Sequence, residues 1–256
     1  AEIVANTGIG QLDLIGFDAC LMAQVESLSA VAPYARYAVA SEETEPALGW
    51  AYASFLGALA DNPAMDGREL AEKIVFGYIA EDGRILDDTA RKSLSNELFR
   101  SPDATSKQVV SALGDDITLT AVDLSKMADL HQALNELVLA IEDAKPSKIA
   151  KARSYTQTFT SVFEDKLPPP YIDLGHFAAL LIDAFPNSAI ESAGFNLQNA
   201  LQEAIVAEKH GPDRPGATGF SIYFPDADLF GQTSTPDWLF YNDIAGRFAT
   251  ASLWDD

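Results

Sequence analysis

The single cysteine of the chain, Cys20, stands where a thiol can act as a nucleophile. Residues 12–17 (LDLIGF) form a short apolar run that predicts a buried strand, and residues 19–30 predict a helix. Catalytic groups of open α/β sheets lie at the carboxyl ends of strands, and a helix N-terminus favours the reactive thiolate. The position of Cys20 is therefore suited to nucleophilic catalysis, but it does not by itself decide the role. The alternative role is that of a small buried hydrophobic residue, which is common for a free cysteine.

Other catalytic chemistries find less support in the residue types. One cysteine excludes an intramolecular disulfide and a cysteine-rich zinc site. The histidines, His131, His176 and His210, are far apart and form no HExxH motif, so each is interpreted as structural. Acidic residues are plentiful, but their spacing marks no pair of carboxylates as that of a glycosidase.

The charge of the chain limits its partners. Thirty-eight acidic residues against seventeen basic ones give the 256-residue chain a net charge of −21. This charge argues against unaided binding to nucleic acid or to an anionic membrane, and it favours basic ligands. No apolar run reaches the ~18 residues of a membrane span.

The periodicity of the remaining sequence predicts an α/β fold. A strand at residues 37–41 follows the helix at 19–30, and the two strands with their connecting helix predict a parallel βαβ unit. Further elements are predicted as helices at 51–60, 67–81, 125–144, 173–184 and 195–209, and as strands at 117–123 and 219–225. Polar residues 82–108 predict a loop-rich boundary, and Pro146 is expected to stop the helix before it. We therefore divide the chain into a nucleophile-bearing part at 1–110 and a C-terminal subdomain at 111–256.

Four motifs, in one order along nearly the whole chain, resemble those of the clostripain family of cysteine peptidases. They are LDLIGFDACLMAQVE at 12–26, ASEETEPALGWAY at 40–52, YIDLGHF at 171–177 and GFSIYFP at 219–225. The resemblance implies the C-terminal part of a caspase-like α/β/α sandwich, followed by a smaller mixed α+β subdomain. It also implies a Cys–His dyad and cleavage after arginine or lysine.

The resemblance assigns roles to particular residues of this chain. Cys20 matches the nucleophile, and its backbone N–H would contribute to the oxyanion hole. Asp18 matches an acid in the pocket for the basic side chain, although its position also suits a helix N-cap. Ser41, Glu42 and Trp50 fall in the segment that resembles the substrate-pocket loop, where Trp50 is equally well explained as a core aromatic.

One position departs from the family pattern. An acid commonly follows the Gly-Trp pair in the family, whereas this chain has Ala51 there. Glu42, Glu43 or Glu45 from the adjacent loop is expected to supply the second negative charge. The preference between arginine and lysine stays open.

The general base of the dyad has no match among the three histidines. Clostripain-like enzymes mature from a zymogen by cutting between their His and Cys segments, and both pieces stay associated. The resemblance therefore predicts that an N-terminal fragment of the same precursor, ending in Arg or Lys, supplies the histidine. The signal peptide of a secreted or cell-envelope bacterial protein would lie in that fragment.

Two further expectations concern alternatives and cofactors. An inactive relative that serves as a binding or structural module is the second functional hypothesis. No metal or cofactor is required by the motifs, but the family implies calcium as a candidate ion. The loops at 42–45 and 226–228 offer oxygen ligands without EF-hand spacing.

Overall fold

The structure is a computed structural model, and it describes residues 2–160, 169–225, 241 and 245–254. The first half of the chain forms α1 (Glu2–Thr7), β1 (Leu12–Gly16), α2 (Val25–Val31), β2 (Ala35–Ala40), α3 (Tyr52–Asp61), α4 (Gly67–Gly77), α5 (Gly83–Leu86), α6 (Asp88–Phe99) and α7 (Ser106–Gly114). The second half forms β3 (Thr118–Asp123), a 3-10 turn (Leu124–Lys126), α8 (Met127–Ile141), α9 (Pro146–Tyr155), β4 (Tyr171–Asp173), α10 (Leu174–Ala184), α11 (Ala189–Ala204), β5 (Ile205–His210), β6 (Ser221–Tyr223) and α12 (Arg247–Ala251).

A mixed four-stranded sheet forms the centre of the molecule, with the strand order β1-β2-β3-β5. β1 and β2 run parallel, while β3 is antiparallel to both β2 and β5. β4 and β6 form a separate antiparallel pair. Because β1 and β2 are parallel, their carboxyl ends lie at the same edge of the sheet, and both connections that follow them meet there.

Helices cover both faces of this sheet. Alternate residues of β2 point to opposite sides, so that Ala38 belongs to one hydrophobic core and Val39 to the other. The first core includes side chains of α2, α8, α10 and α11, and the second includes side chains of α3, α4 and α7. The predicted α/β/α layering is thereby confirmed, and the rigid sheet provides the base for the loops that follow β1 and β2.

The structure corrects the prediction of a helix at residues 19–30. α2 begins only at Val25, because the backbone of the preceding residues bonds to other segments. The Leu21 N–H donates to Glu43 O at 3.2 Å, and the Ala23 N–H donates to Ser41 O at 2.8 Å. Gln24 forms a β-bridge with Ser221. These tertiary bonds replace the helical bonds that the local pattern predicts.

Three further segments differ from their predictions. The helix predicted at 195–209 ends at Ala204, where the chain continues as β5. The region predicted as a loop-rich boundary contains α5, α6 and α7, and Asp82, Asp87 and Thr105 are their N-caps. Pro146 does not stop a helix but occupies the first position of α9, where its missing N–H has no helical partner to lose.

The sheet takes strands from both sides of residue 110. β2 pairs with β3 in the register Val39 to Ala121, so the predicted 1–110 and 111–256 parts share one sheet. The division into a nucleophile-bearing part and a subdomain stays a prediction. Among the described residues, no helix is both long and apolar enough to cross a membrane.

Candidate active site

Cys20 lies in the connection between β1 and α2 and is exposed to solvent. Its exposure contradicts the alternative role of a buried hydrophobic residue. The expected helix N-terminus is absent there, since α2 begins five residues later. A different group faces the sulfur: the backbone N–H of Glu45 donates to Cys20 Sγ at 3.3 Å. The loop after β2 therefore supplies the donor that the helix was expected to supply.

The backbone after Cys20 is held in a sharp turn. Leu21 has a positive φ of 60°, a conformation that costs a bulky side chain about 1–3 kcal/mol. The buried Leu21 side chain packs with Phe159 and Ala217 in a small cluster, and the Ser221 N–H donates to Ala23 O at 2.9 Å. Distant parts of the chain thus hold the turn that presents the thiol.

The first residues of the loop after β2 are fixed to β3. Thr118 Oγ1 accepts the backbone N–H groups of Glu42 and Glu43, each at 2.9 Å, and it lies 3.0 Å from Ser41 Oγ. Ser41 is fully buried, and its hydroxyl donates to Glu43 O. Ser41, which was predicted as a substrate contact, is therefore buried, and its hydroxyl anchors the loop.

Glu42 and Glu43 are likewise buried and bonded inside the protein. Glu42 Oε2 accepts the Gly219 N–H at 3.0 Å, and burial together with the neighbouring Asp173 raises its pKa well above the ordinary value. The Glu43 carboxylate accepts Arg214 Nε at 2.7 Å and the Thr160 N–H at 3.1 Å. Both side chains join the loop to distant segments. Glu42, which was predicted as a substrate contact, is therefore buried and not exposed to a substrate.

Asp18, two residues before Cys20, meets the backbone of Trp50. The Trp50 backbone N–H donates to Asp18 Oδ2 at 3.2 Å, and Asp18 does not cap α2, whose N-cap is Gln24. Gly49 permits this contact, because it has a φ of 68° and a Cβ atom there would lie 2.7 Å from Asp18 Oδ2. Trp50 is only 4% exposed and belongs to the second core. The Trp50 ring thus packs in the core, while the Trp50 backbone N–H orients Asp18.

Glu45 brings a second carboxyl group to Asp18. Both of its oxygens are buried, and its carboxyl group interacts with that of Asp18 and with the Trp50 indole. Burial and the proximity of Asp18 raise the pKa of Glu45 to about 9, against an ordinary value of 4.5. Of the three acids expected to supply the second charge, Glu45 is the one that the structure places beside Asp18.

The histidines of the chain bond elsewhere. His131 lies 2.7 Å from Ser29 Oγ, His176 Nδ1 accepts the Gln157 N–H at 3.0 Å, and His210 Nδ1 lies 2.9 Å from Glu208. In the described part of the chain, none of them is hydrogen-bonded to Cys20. The interpretation of these three residues as structural agrees with their contacts.

Calcium does not fit the first loop proposed for it. The Glu42 carboxylate accepts the Gly219 N–H, whereas the Glu43 carboxylate accepts the Thr160 N–H and pairs with Arg214. The two carboxylates therefore do not converge on one ion. No three His, Cys, Asp or Glu residues are grouped to hold a metal within the described ranges. The other candidate loop, at residues 226–228, lies outside those ranges.

Cys20, Asp18 and Glu45 together suit covalent attack on the carbonyl of a substrate that carries a positive charge. An exposed thiol with an N–H donor on its sulfur supplies the nucleophile, and two carboxyl groups within the same pair of loops supply negative charge. Sequence reasoning missed Tyr78, which contributes a buried hydroxyl close to both acids. No motif marks Tyr78, because its proximity arises from the packing of α4 against the sheet.

The fold is shared with solved clostripain structures. A clostripain from Bacteroides thetaiotaomicron, solved with a peptide inhibitor, has a TM-score of 0.60 and 16% identity, with 98% of this chain and 91% of that chain covered. A secreted C11 cysteine protease from the same species, also solved with a peptide inhibitor, has a TM-score of 0.56 and 16% identity, covering 94% of this chain and 59% of that one. An inactive zymogen C11 protease from Parabacteroides distasonis has a TM-score of 0.52 and 15% identity, covering 91% and 59%.

No curated protein matches the chain. The model of the clostripain family, however, matches residues 5–256, which is almost the full length. This match agrees with the motifs around Cys20 and with the α/β/α layering. The chain therefore belongs to the clostripain family and is a cysteine peptidase.

Proposed function

We propose that the chain is the nucleophile-bearing part of an endopeptidase that cleaves peptide bonds after arginine or lysine. The observation that carries this specificity is the pair of carboxyl groups, Asp18 and Glu45, beside Cys20. A cationic side chain between them would receive charge-assisted hydrogen bonds, which are about twice as strong as neutral ones. Asp18 is the principal charge of this pocket, and Trp50 orients it through its backbone.

The proposed reaction follows the covalent route of cysteine peptidases. The Cys20 thiolate attacks the carbonyl carbon, a C–S bond forms, and the backbone N–H of Cys20 helps to stabilise the oxyanion. As the C–N bond breaks, a histidine imidazolium gives its proton to the leaving amine. Water then hydrolyses the thioester, which releases the carboxylic acid and restores the thiol.

A separate N-terminal fragment of the same precursor is the proposed source of that histidine. The histidines of this chain pair with Ser29, Gln157 and Glu208 instead of Cys20. In addition, β1 lies at the end of the strand order, so only one of its edges pairs with a described strand. A fragment that adds a strand to the open edge of β1 would bring a histidine to the side of the sheet where Cys20 lies.

Processing and location complete the proposal. Cleavage after a basic residue by the enzyme itself would convert the zymogen to the two-piece form. A secreted or cell-envelope location is proposed with it, since one of the similar structures is described as secreted and another as a zymogen. An inactive relative that acts as a binding module is the competing proposal.

A thiol-reactive peptide ketone ending in arginine tests the proposal directly. The purified protein, with every polypeptide that accompanies it, is treated with this reagent and with a matched reagent that ends in citrulline, an uncharged analogue of arginine. Mass spectrometry should find Cys20 labelled completely by the arginine reagent and slowly by the citrulline reagent. The same spectra should contain a second polypeptide ending in Arg or Lys.

The outcomes separate the two proposals. Absence of labelling in the complete assembly would support the inactive module. A single 27.5 kDa species that is fully active on peptides would overturn the two-piece arrangement. In that case one of the three histidines described above would have to serve as the base.

A further inference from the structure

The residues on both sides of Cys20 are hydrogen-bonded to one stretch of chain, formed by the end of β2 and the loop that follows it. On one side, the Phe17 N–H donates to Val39 O at 2.9 Å, and on the other side the Leu21 N–H donates to Glu43 O at 3.2 Å. Two residues further along this loop, a backbone N–H reaches the sulfur itself at 3.3 Å. The position of the thiol and the donor that faces it therefore both depend on where this loop lies.

The loop is held where β3 extends beyond the end of β2. β2 ends at Ala40, which pairs with Thr120 of β3. Two positions further, the same antiparallel register would place Glu42 opposite Thr118, but β2 has already ended there. The Thr118 side chain takes over from the backbone, because its Oγ1 accepts the N–H groups of Glu42 and Glu43, each at 2.9 Å. One hydroxyl thus serves as the strand partner of two consecutive N–H groups.

The Thr118 hydroxyl has no hydrogen-bonding capacity left over. A hydroxyl carries one proton and two lone pairs, and the two N–H groups occupy the lone pairs. Its proton is therefore directed to Ser41 Oγ, which lies 3.0 Å away. The Ser41 hydroxyl in turn donates to Glu43 O at 2.9 Å, and this oxygen also accepts the Leu21 N–H. Hydrogen bonds thus lead without interruption from β3 to the residue that follows Cys20.

We propose that Thr118 is a positioning residue of the nucleophile, whose hydroxyl holds the loop after β2 so that the Glu45 N–H faces Cys20 Sγ. A hydrogen bond to the sulfur stabilises a thiolate relative to a thiol, and the thiolate is the form that attacks a carbonyl. Without the Thr118 hydroxyl, two buried N–H groups lose their acceptor and the loop has to move to find another. The inference rests on the proposed role of Cys20 as the nucleophile and is independent of the side chain preferred before the cleaved bond.

Thr120 offers a matched control on the same strand. It lies two residues after Thr118, so both side chains point to the same face of the sheet, and both residues are 1% exposed. The Thr120 hydroxyl, however, donates to Ala207 O of β5 at 3.4 Å. Among the described residues, its side chain forms no hydrogen bond with the loop after β2. Thr120→Val therefore removes an equally buried hydroxyl from β3 without touching the contacts that lead to Cys20.

The experiment measures how fast iodoacetamide alkylates Cys20, the single cysteine of the chain, in the purified protein with every polypeptide that accompanies it. Rates are compared at about pH 6.5 and at about pH 10, where an ordinary thiol is ionised without help. Thr118→Val should react about tenfold more slowly than wild type at the lower pH and within about twofold of it at the higher pH. Thr118→Ser, which restores the hydroxyl, and Thr120→Val should stay within about twofold of wild type at both.

Peptide cleavage gives a second measurement, with two peptides that differ only in arginine or citrulline before the cleaved bond. Thr118→Val should lower kcat/KM at least about tenfold on both the arginine peptide and the citrulline peptide, because the nucleophile attacks either one. Ser41→Ala removes only the second hydroxyl and leaves Thr118 to hold both N–H groups. It should therefore act in the same direction with a smaller effect, about threefold on alkylation at the lower pH.

Several results would overturn the inference. If folded Thr118→Val is alkylated as fast as wild type at the lower pH, the loop keeps its place without the hydroxyl. If Thr120→Val is slowed as much as Thr118→Val, general loosening of β3 is the cause. Equal slowing of Thr118→Val at both pH values would mean that access to the sulfur, and not stabilisation of the thiolate, has changed.

Two further outcomes keep the test decisive. A thermal melt shows whether Thr118→Val is folded, and if it is not, Ser41→Ala decides, since an alkylation rate equal to that of wild type would then overturn the inference. If wild type cleaves neither peptide but the alkylation rates differ as expected, the proposed function fails while the role of Thr118 in placing the donor at Cys20 is supported.

Discussion

Glu43 and Glu45 stand two residues apart in one loop, yet their carboxyl groups meet opposite conditions. Glu43 is fully buried, and its oxygens accept hydrogen bonds from Arg214 and from the Thr160 N–H. The oxygens of Glu45 are buried as well, but their neighbours are a second acid, Asp18, and the Trp50 indole. One acid joins distant segments of the fold, and the other lies with a second acid beside the nucleophile.

The contrast between Glu43 and Glu45 shows how the loop after β2 can be anchored to the fold and still present groups to the nucleophile. The first residues after β2 are fixed by Thr118, Gly219 and Arg214, which are all far away in sequence. Glu45 follows this anchored stretch, so its N–H can be directed at Cys20 without further support. The acids that are hydrogen-bonded to distant segments thus position Glu45, and substitutions of Glu43 and of Glu45 should therefore have different effects.

Cys20→Ala should give the largest effect, because it removes the nucleophile itself. Peptide cleavage should fall to background, while the thermal midpoint should change little, since the exposed thiol contributes little packing. Initial rates with the arginine peptide and a thermal melt of the same preparation measure both quantities. If the thermal midpoint falls by several degrees while activity is retained, Cys20 has a structural role and is not the nucleophile.

Asp18→Asn should follow, with an effect confined to substrates that carry a positive charge. Loss of the carboxylate should cost about 2–4 kcal/mol in kcat/KM for arginine and lysine peptides. The citrulline peptide should scarcely respond, since it brings no charge to the pocket. Equal losses on charged and uncharged peptides would mean that Asp18 acts only by bonding to the Trp50 backbone.

Glu43→Gln tests the other side of the comparison. Among the described residues, it leaves Asp116 as the remaining ionic partner of Arg214, and it should lower the free energy of unfolding by about 1–3 kcal/mol. The ratio of kcat/KM for the arginine peptide to that for the citrulline peptide should stay the same. Denaturant titration measures the free energy of unfolding. Glu72→Gln, which breaks an exposed ion pair with Arg68, is the control and should lower this free energy by less than about 0.5 kcal/mol. A changed ratio at unchanged stability would contradict the structural role of Glu43.

The smallest effect is expected in the pH dependence of stability. Glu45 has a pKa of about 9 in the folded chain against an ordinary 4.5, so the unfolded chain loses this proton at lower pH than the native one. The free energy of unfolding therefore falls as pH rises from about 4.5 to about 9. Glu45→Gln removes this dependence and should melt a few degrees higher than wild type at pH 8, with 1 kcal/mol corresponding to about 2–4 °C.

Near pH 4.5 the midpoints of the two proteins should converge. Glu26 and Glu42 are also buried with raised pKa values, but they are present in both proteins and cancel in the comparison. Midpoints that run parallel at every pH would mean that Glu45 ionises as an ordinary exposed acid does.

Local pattern was sufficient to predict the elements whose own side chains form the core. The strands β1, β2 and β3 and most of α8, α10 and α11 follow from apolar runs and periodicity. Residues 19–24 were predicted as helix and are not, because the N–H groups of Leu21 and Ala23 bond to Glu43 and Ser41. β5 was missed for a related reason, since its extended conformation depends on pairing with β3.

The candidate site was predictable only in part for the same physical reason. Cys20 and Asp18 are adjacent in sequence and lie in a recognisable motif, so their proximity is local. Ser41 and Glu42 share the loop of Glu45, and only the contacts with Thr118 and Gly219 separate the buried side chains from the one at the pocket. Tyr78 lies on a different element, and its approach to the acids depends on the packing of α4, which no short motif records.

The contacts that hold the turn after Cys20 also impose an order on synthesis. Ser221, whose hydroxyl and backbone N–H both reach Ala23 O, is 198 positions further along the chain. Ala217, which packs on Leu21, emerges almost as late. At about 5–20 residues per second, the ribosome needs roughly 10 to 40 seconds to reach that point after the thiol has been made. The nascent chain therefore carries the thiol without these supporting contacts until Ser221 has been made, so the turn after Cys20 cannot have its full set of contacts before then.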